Sequence, residues 1–284
     1  MNEQRFREKF ERTEENEGRL GVNTGAIDCI IDFTNFSNDK CKDGEVSFFL
    51  NNLDEINKIR PNFIIFYTDD GPVGFQYLFS SLNLKRSLDD LVIGHELGHV
   101  LNSIKNVIMP NPNRIRYEVV LPDNFSEIIA RAKENCLSSQ NREEIKSYIE
   151  RLCKSQDISQ AERGPVADIF SAAFQAPYVY VGSKDNKCTF PSTHRKFYDI
   201  KEYNDSERLQ YRFDETFANI FTLIANGCGE ELAMLTHFMG EEYIGLFVEE
   251  IHQSVQKYRS GIGHSDPQKS SLDAEATKEE EFSL

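Results

Sequence analysis

The stretch His95-Glu96-Leu97-Gly98-His99 decides how the rest of this chain is read. Residues four apart on an α-helix share a face, so the two imidazoles converge on one metal ion if the pentad is helical. Glu96 then points aside, toward a water molecule and not the metal, which is where a general base belongs. The flanking residues favour a helix from about Leu88 to about Ile104. Ser87 is a good N-cap with Asp90 three residues later, and Leu88, Leu91, Val92, Val100, Leu101 and Ile104 supply an apolar stripe. Gly94 and Gly98 each cost such a helix about 1 kcal/mol relative to Ala, a cost offset if another backbone approaches closely on that side.

Catalytic zinc takes three protein ligands and keeps one position open, so the pentad implies a further ligand elsewhere. The extended pattern HExxHxxGxxH needs Gly at position 102 and His at 105; Asn102 and Lys105 exclude it. A helix from about Asp205 to Asn226 offers another source. Its apolar stripe is Phe213, Phe217, Ile220, Phe221 and Ile224, whereas Glu215, Ala218, Asn219 and Thr222 occupy a smaller, more polar face. Glu215 is the candidate third ligand. Asn219, one turn later, is the candidate partner that fixes the tautomer of a ligating histidine. The competing reading makes Glu215 a solvent-facing residue, with His194, Asp168 and Asp199 as fallback ligands. His194 and Tyr198, also four apart, are candidate catalytic donors to the oxyanion formed when water attacks a carbonyl, against a competing reading of His194 as an exposed loop residue. His237, His252 and His264 are assigned no chemistry.

With 284 residues the chain can bury a large core, as one large domain or two modest ones. A net charge of -15 argues against nonspecific binding to nucleic acid or to an anionic membrane surface. No apolar run approaches the roughly 20 residues that span a bilayer, so no stable membrane insertion is expected. Met1 to Arg12 is charged and lacks the apolar stretch of a classical signal peptide, which implies synthesis in the cytosol. Cys29, Cys41, Cys136, Cys153, Cys188 and Cys228 are scattered without a CxxC pair, so reduced thiols are expected.

Working outward, Ile27 to Phe33 and Asn62 to Tyr67 are β-branched and aromatic runs that read as strands, with a helix between them around Val46 to Ile59. Gly71-Pro72-Val73-Gly74 leads into an edge strand at Phe75 to Phe79; it is either a site where an extended polypeptide adds as a strand or a plain hairpin. Met1 to Gly18 reads as a charged helix leaning on the body through Phe6 and Phe10. Two charged helices are expected over about 123–154, as an inserted lid or as scaffold, then a helix at Pro165 to Phe174 and short strands at Tyr178 to Val181 and Cys188 to Phe190. The remainder to about Tyr258 reads as mainly helical. The expected fold class is α+β, zincin-like: a small N-terminal sheet preceding the HExxH helix and a mostly helical C-terminal part, together one catalytic domain over 1–259. Residues 260–284 carry few large apolar groups and read as a disordered acidic tail.

Glu-Thr-Phe-Ala-Asn at Glu215 to Asn219 resembles the second motif of gluzincin metallopeptidases, in which a downstream helix supplies the third zinc ligand and an Asp or Asn follows four residues later. The separation from His99 is longer than in compact gluzincins, which an inserted helical region accounts for. Together with chain size, the absent signal peptide and the acidic cluster Glu279 to Glu281, the pentad resembles translocated bacterial effector metalloproteases, whose tails are recognised by an Icm/Dot type IV secretion machinery. That resemblance implies synthesis in a bacterial cytoplasm, delivery to the host cell cytosol, and proteolysis of a host cytoskeletal protein, with actin as the substrate. The residues themselves point to a Zn²⁺-dependent endopeptidase. A non-catalytic zinc-stabilised binding protein and a phage-like or self-processing metallopeptidase are the alternatives.

Overall fold

A computed structural model of the chain describes residues 3–10, 23–60, 62–68, 71, 73–76, 80–85, 88–105, 119–138, 140–154, 157–175, 178–180, 187–189 and 204–263. Helix α1 (Glu3–Phe10) inserts Phe6 and Phe10 into the core, their rings 4.7 Å apart, and keeps its charged flank outside. Arg5 ties this helix to the buried carboxylates of Asp54 and Glu55.

The strand expected at Ile27 to Phe33 is corrected by the structure: these residues lie within helix α2 (Thr24–Lys40). Asn23 caps it by accepting the Gly25 amide. The buried positions Ala26, Ile27, Ile30, Ile31, Thr34 and Ser37 recur at three- and four-residue spacing. Intrinsic strand preference spans only ~1 kcal/mol per residue. It therefore yields to burial of a whole helical face. The single helix expected over Val46 to Ile59 is interrupted. Helix α3 (Gly44–Asn51), capped by Asp43, gives way to a 3-10 turn at Leu53–Glu55 and to the one-turn helix α4 (Ile56–Ile59).

Strands β1 (Ile64–Tyr67), β2 (Gly74–Gln76) and β3 (Ser81–Leu84) form a sheet in the order β1-β3-β2. β1 runs parallel to β3 and β2 antiparallel to it, which places β2 at an edge. The edge strand expected over Phe75 to Phe79 thus covers Gly74–Gln76, and 77–79 lie outside the described residues. β3 has no strand signature in the sequence, because Ser-Leu-Asn-Leu carries no β-branched or aromatic residue.

Helix α5 (Asp90–Lys105) holds the pentad. Ser87, its expected cap, lies outside the described residues; Asp89 accepts the Leu91 amide instead. Helices α6 (Phe125–Leu137) and α7 (Arg142–Lys154) contribute Phe125, Ile129, Ile145, Ile149 and Leu152 to the common core, so they are built into the body. A π-helical turn at Glu162–Val166, where Pro165 lacks an amide proton, leads into α8 (Ala167–Phe174). The hairpin β4 (Tyr178–Tyr180) and β5 (Lys187–Thr189) follows, then α9 (Asp205–Ala225), α10 (Gly229–Met239) and α11 (Glu241–Gly263). The architecture is α+β, mostly helical, with its three-stranded sheet near the N-terminus. Because α11 extends to Gly263, residues 260–263 are helical and are not part of a tail. Residues 264–284 lie outside the described set. Among the described residues no helix is long and apolar enough to cross a membrane.

Candidate metal centre

Among the described residues, helices α5 and α9 pack on each other more extensively than any other pair of elements. The glycines of α5 make this approach possible. A Cβ at Gly98 would stand 2.7 Å from the Ala218 Cα, and one at Gly94 would collide with the Thr222 hydroxyl. Thr222 Oγ1 in turn donates to the Leu91 carbonyl at 2.9 Å. The smaller face of α9 is therefore the face laid against α5, and Glu215 and Asn219 come with it.

His95, His99 and Glu215 meet in this interface, each less than a tenth exposed. His95 Nε2 lies 3.1 Å from His99 Nε2 and 3.3 Å from Glu215 Oε2, and His99 Nε2 lies 3.8 Å from the same oxygen. Ligands bound ~2.0–2.2 Å from a tetrahedral zinc ion stand roughly 3.3–3.6 Å from one another, so the triad has the span of a metal site. Each imidazole is also turned correctly. Asn219 Oδ1 accepts from His95 Nδ1 at 3.0 Å, which puts the proton there and leaves the Nε2 lone pair directed into the triad. Asp214 Oδ2 does the same for His99 Nδ1 at 3.1 Å. Asn102 holds Asp214 by donating to its other oxygen at 2.6 Å.

The electrostatics favour a cation. Burial opposes a charge on His99, but Asp214 and Glu215, with Glu96 behind them, outweigh it and hold the ring's pKa up to about 10. A proton balances those carboxylates in metal-free protein, and a metal ion fits the same field. The buried group His95, His99 and Glu215 can thus hold a metal ion.

Glu96 is half-buried beside this group, outside the ligand triad. Its Oε2 accepts the main-chain amide of Phe75, in edge strand β2, at 2.7 Å. One carboxylate oxygen is thus committed to the strand.

The structure brings together His95, Glu96, His99, Glu215 and Asn219. His194, Tyr198 and the fallback Asp199 lie outside the described residues. Asp168 is buried on α8 and does not belong to the metal-capable group. Asp214 and Asn102 also belong to this hydrogen-bonded group, and sequence reasoning misses both. Asp214 is fully buried, and the signal for it is a second acid beside Glu215 on a helix whose neighbours at 213 and 217 are phenylalanine. Cys41, Cys136 and Cys228 are free thiols; burial pushes Cys136 up to about 12 and Cys228 up to about 11, which disfavours their thiolate forms at neutral pH. Comparison with protein-family models, curated proteins and solved structures finds no match for this chain.

Proposed function

We propose that this chain is a zinc-dependent endopeptidase with a gluzincin-like centre on a zincin-like α+β body. The observation that carries the reading is the convergence of two Nε2 atoms and one carboxylate oxygen beside a further carboxylate, Glu96, that is held against an edge strand. His95, His99 and Glu215 would hold the Zn²⁺. Such an ion, when bound with an open position, lowers the pKa of a water molecule to about 7 and polarises a carbonyl.

Glu96 is the general base in this reading. Its free oxygen takes a proton from the attacking water as the new C–O bond forms, and returns it to the amine nitrogen as the C–N bond breaks. The Asn219 and Asp214 hydrogen bonds keep both imidazoles in their ligating tautomer throughout. A polypeptide substrate is favoured because Glu96 is held against an edge strand, beside which an extended segment can be accommodated. His194 and Tyr198 remain the proposed donors to the developing oxyanion. The resemblance to translocated effectors extends the proposal to a protein delivered by a bacterial type IV machinery into the host cytosol, with actin as the cytoskeletal substrate.

The test is a pairing of wild type with Glu96→Gln, both loaded with Zn²⁺. Wild type should generate new N-termini in host-cell lysate and cut purified actin, and the variant should bind zinc equally and cut neither. Unchanged turnover in the variant would remove Glu96 from the mechanism. Absence of any wild-type cleavage at one zinc per chain would favour the non-catalytic alternative.

A further inference from the structure

Glu96 is held by a strand, and the strand is itself clamped. The Phe75 N–H is directed away from β3, the only strand paired with β2 among the described residues, and donates at 2.7 Å to Glu96 Oε2. A bond this short to a carboxylate belongs to the stronger, charge-assisted class. The Phe75 ring is buried and packs on Phe63 at 6.2 Å, with the Arg60 guanidinium 5.2 Å from its centroid. Arg60 also donates to Ser80 Oγ at 3.0 Å and to the Ser103 carbonyl of α5 at 3.3 Å. The edge strand is therefore fastened to the pentad helix twice, once through Arg60 and once through Glu96.

Gly74 completes the arrangement. Its φ of +156° is a conformation that L side chains rarely adopt, yet among the described residues a Cβ there would meet only Glu96 Oε2, at an ordinary 3.8 Å. Glycine is required by backbone conformation and not by space, and it stands immediately before the donating amide.

We propose that the main-chain amide of Phe75, presented by Gly74, is the positioning group of Glu96. It selects the carboxylate rotamer that offers the second oxygen to the attacking water. The inference rests on the reading of Glu96 as general base, but the contact is measurable without any substrate.

Amide hydrogen exchange on the full-length zinc-loaded chain provides that measurement. The Phe75 amide should exchange about tenfold or more slowly in wild type than in Glu96→Ala, the size of effect expected for a hydrogen bond to a charged acceptor, while the β3 amides stay unchanged. Gly74→Ala should lose the same protection by reorienting the strand. Replacing Phe75 by phenyllactic acid exchanges only the N–H for an ester oxygen and keeps the ring. That variant should retain zinc and a KM within about twofold, and its kcat should fall about 10–100-fold, the range for a misplaced catalytic group. Equal exchange of the Phe75 amide in wild type and Glu96→Ala would overturn the contact. Full turnover by the ester variant would overturn the positioning role and leave the hydrolase reading intact. A Glu96-dependent protection in a chain that cleaves no polypeptide would overturn both, leaving the contact as a purely structural tether.

Discussion

Asp214 and Asn219 share the task of orienting the two imidazoles, one to each ring, and both act from α9 on residues of α5. Removing such a partner typically weakens metal binding about 10–100-fold. Asp214→Asn and Asn219→Ala should each raise the zinc dissociation constant by that factor in competition with a chromophoric chelator, with the fold retained. Asp214 has a second, pH-dependent consequence. The metal-free His99 has its pKa raised to about 10, so its contribution to stability is complete below the unfolded value near 6.5 and is lost as pH rises through about 10. The urea midpoint of metal-free protein should therefore fall between pH 6.5 and 10, and Asp214→Asn should flatten that slope. An identical slope in the variant would remove Asp214 as its cause.

At the scale of elements, two helical glycines with different surroundings separate packing from propensity. Alanine is favoured over glycine in a helix interior by about 1 kcal/mol, whereas overpacking a tight interface costs about 1–3 kcal/mol. At Gly98 the added methyl would meet the α9 backbone at 2.7 Å, so the clash prevails. Gly98→Ala should lower the melting temperature and weaken zinc binding together, since parting the helices moves Glu215 and Asn219. Among the described residues no atom lies within 4 Å of a methyl added at Gly245 of α11, so Gly245→Ala should raise stability by about 0.5–1 kcal/mol and leave zinc affinity unchanged. Thermal melts and zinc titrations of the two variants check both statements. The helix period of α2 is legible in its sequence but competes there with a β-branched content that points to a strand; the spacing of Ile27, Ile30 and Ile31 is the better guide.

Across the whole molecule, the candidate centre joins the pentad helix to a helix more than a hundred residues later, so an ion held there would couple its binding to folding. A ligand at 100–1,000 times its dissociation constant stabilises by about 2.7–4.1 kcal/mol, which for a chain of this size raises the melting temperature by roughly 5–7 °C. Saturating Zn²⁺ should produce a shift of that order in calorimetry, and His95→Ala should abolish it. The same shift in His95→Ala would place the stabilising ion elsewhere. The free thiols show no competing cysteine site among the described residues.

The sequence by itself determined the pentad, its helix, the third-ligand candidate with its Asn one turn later, and the excluded metzincin spacing, because each follows from periodicity within one helix. Gly94 and Gly98 even announced a close approach without naming what approached. Only the tertiary structure decided that the partner is Ala218 and Thr222, that Asp214 and Asn102 complete the histidine shell, and that the Phe75 amide holds Glu96. The physical reason is one of range. A helix repeat states which residues share a face, but the distance between two faces is set by how the whole core packs around them.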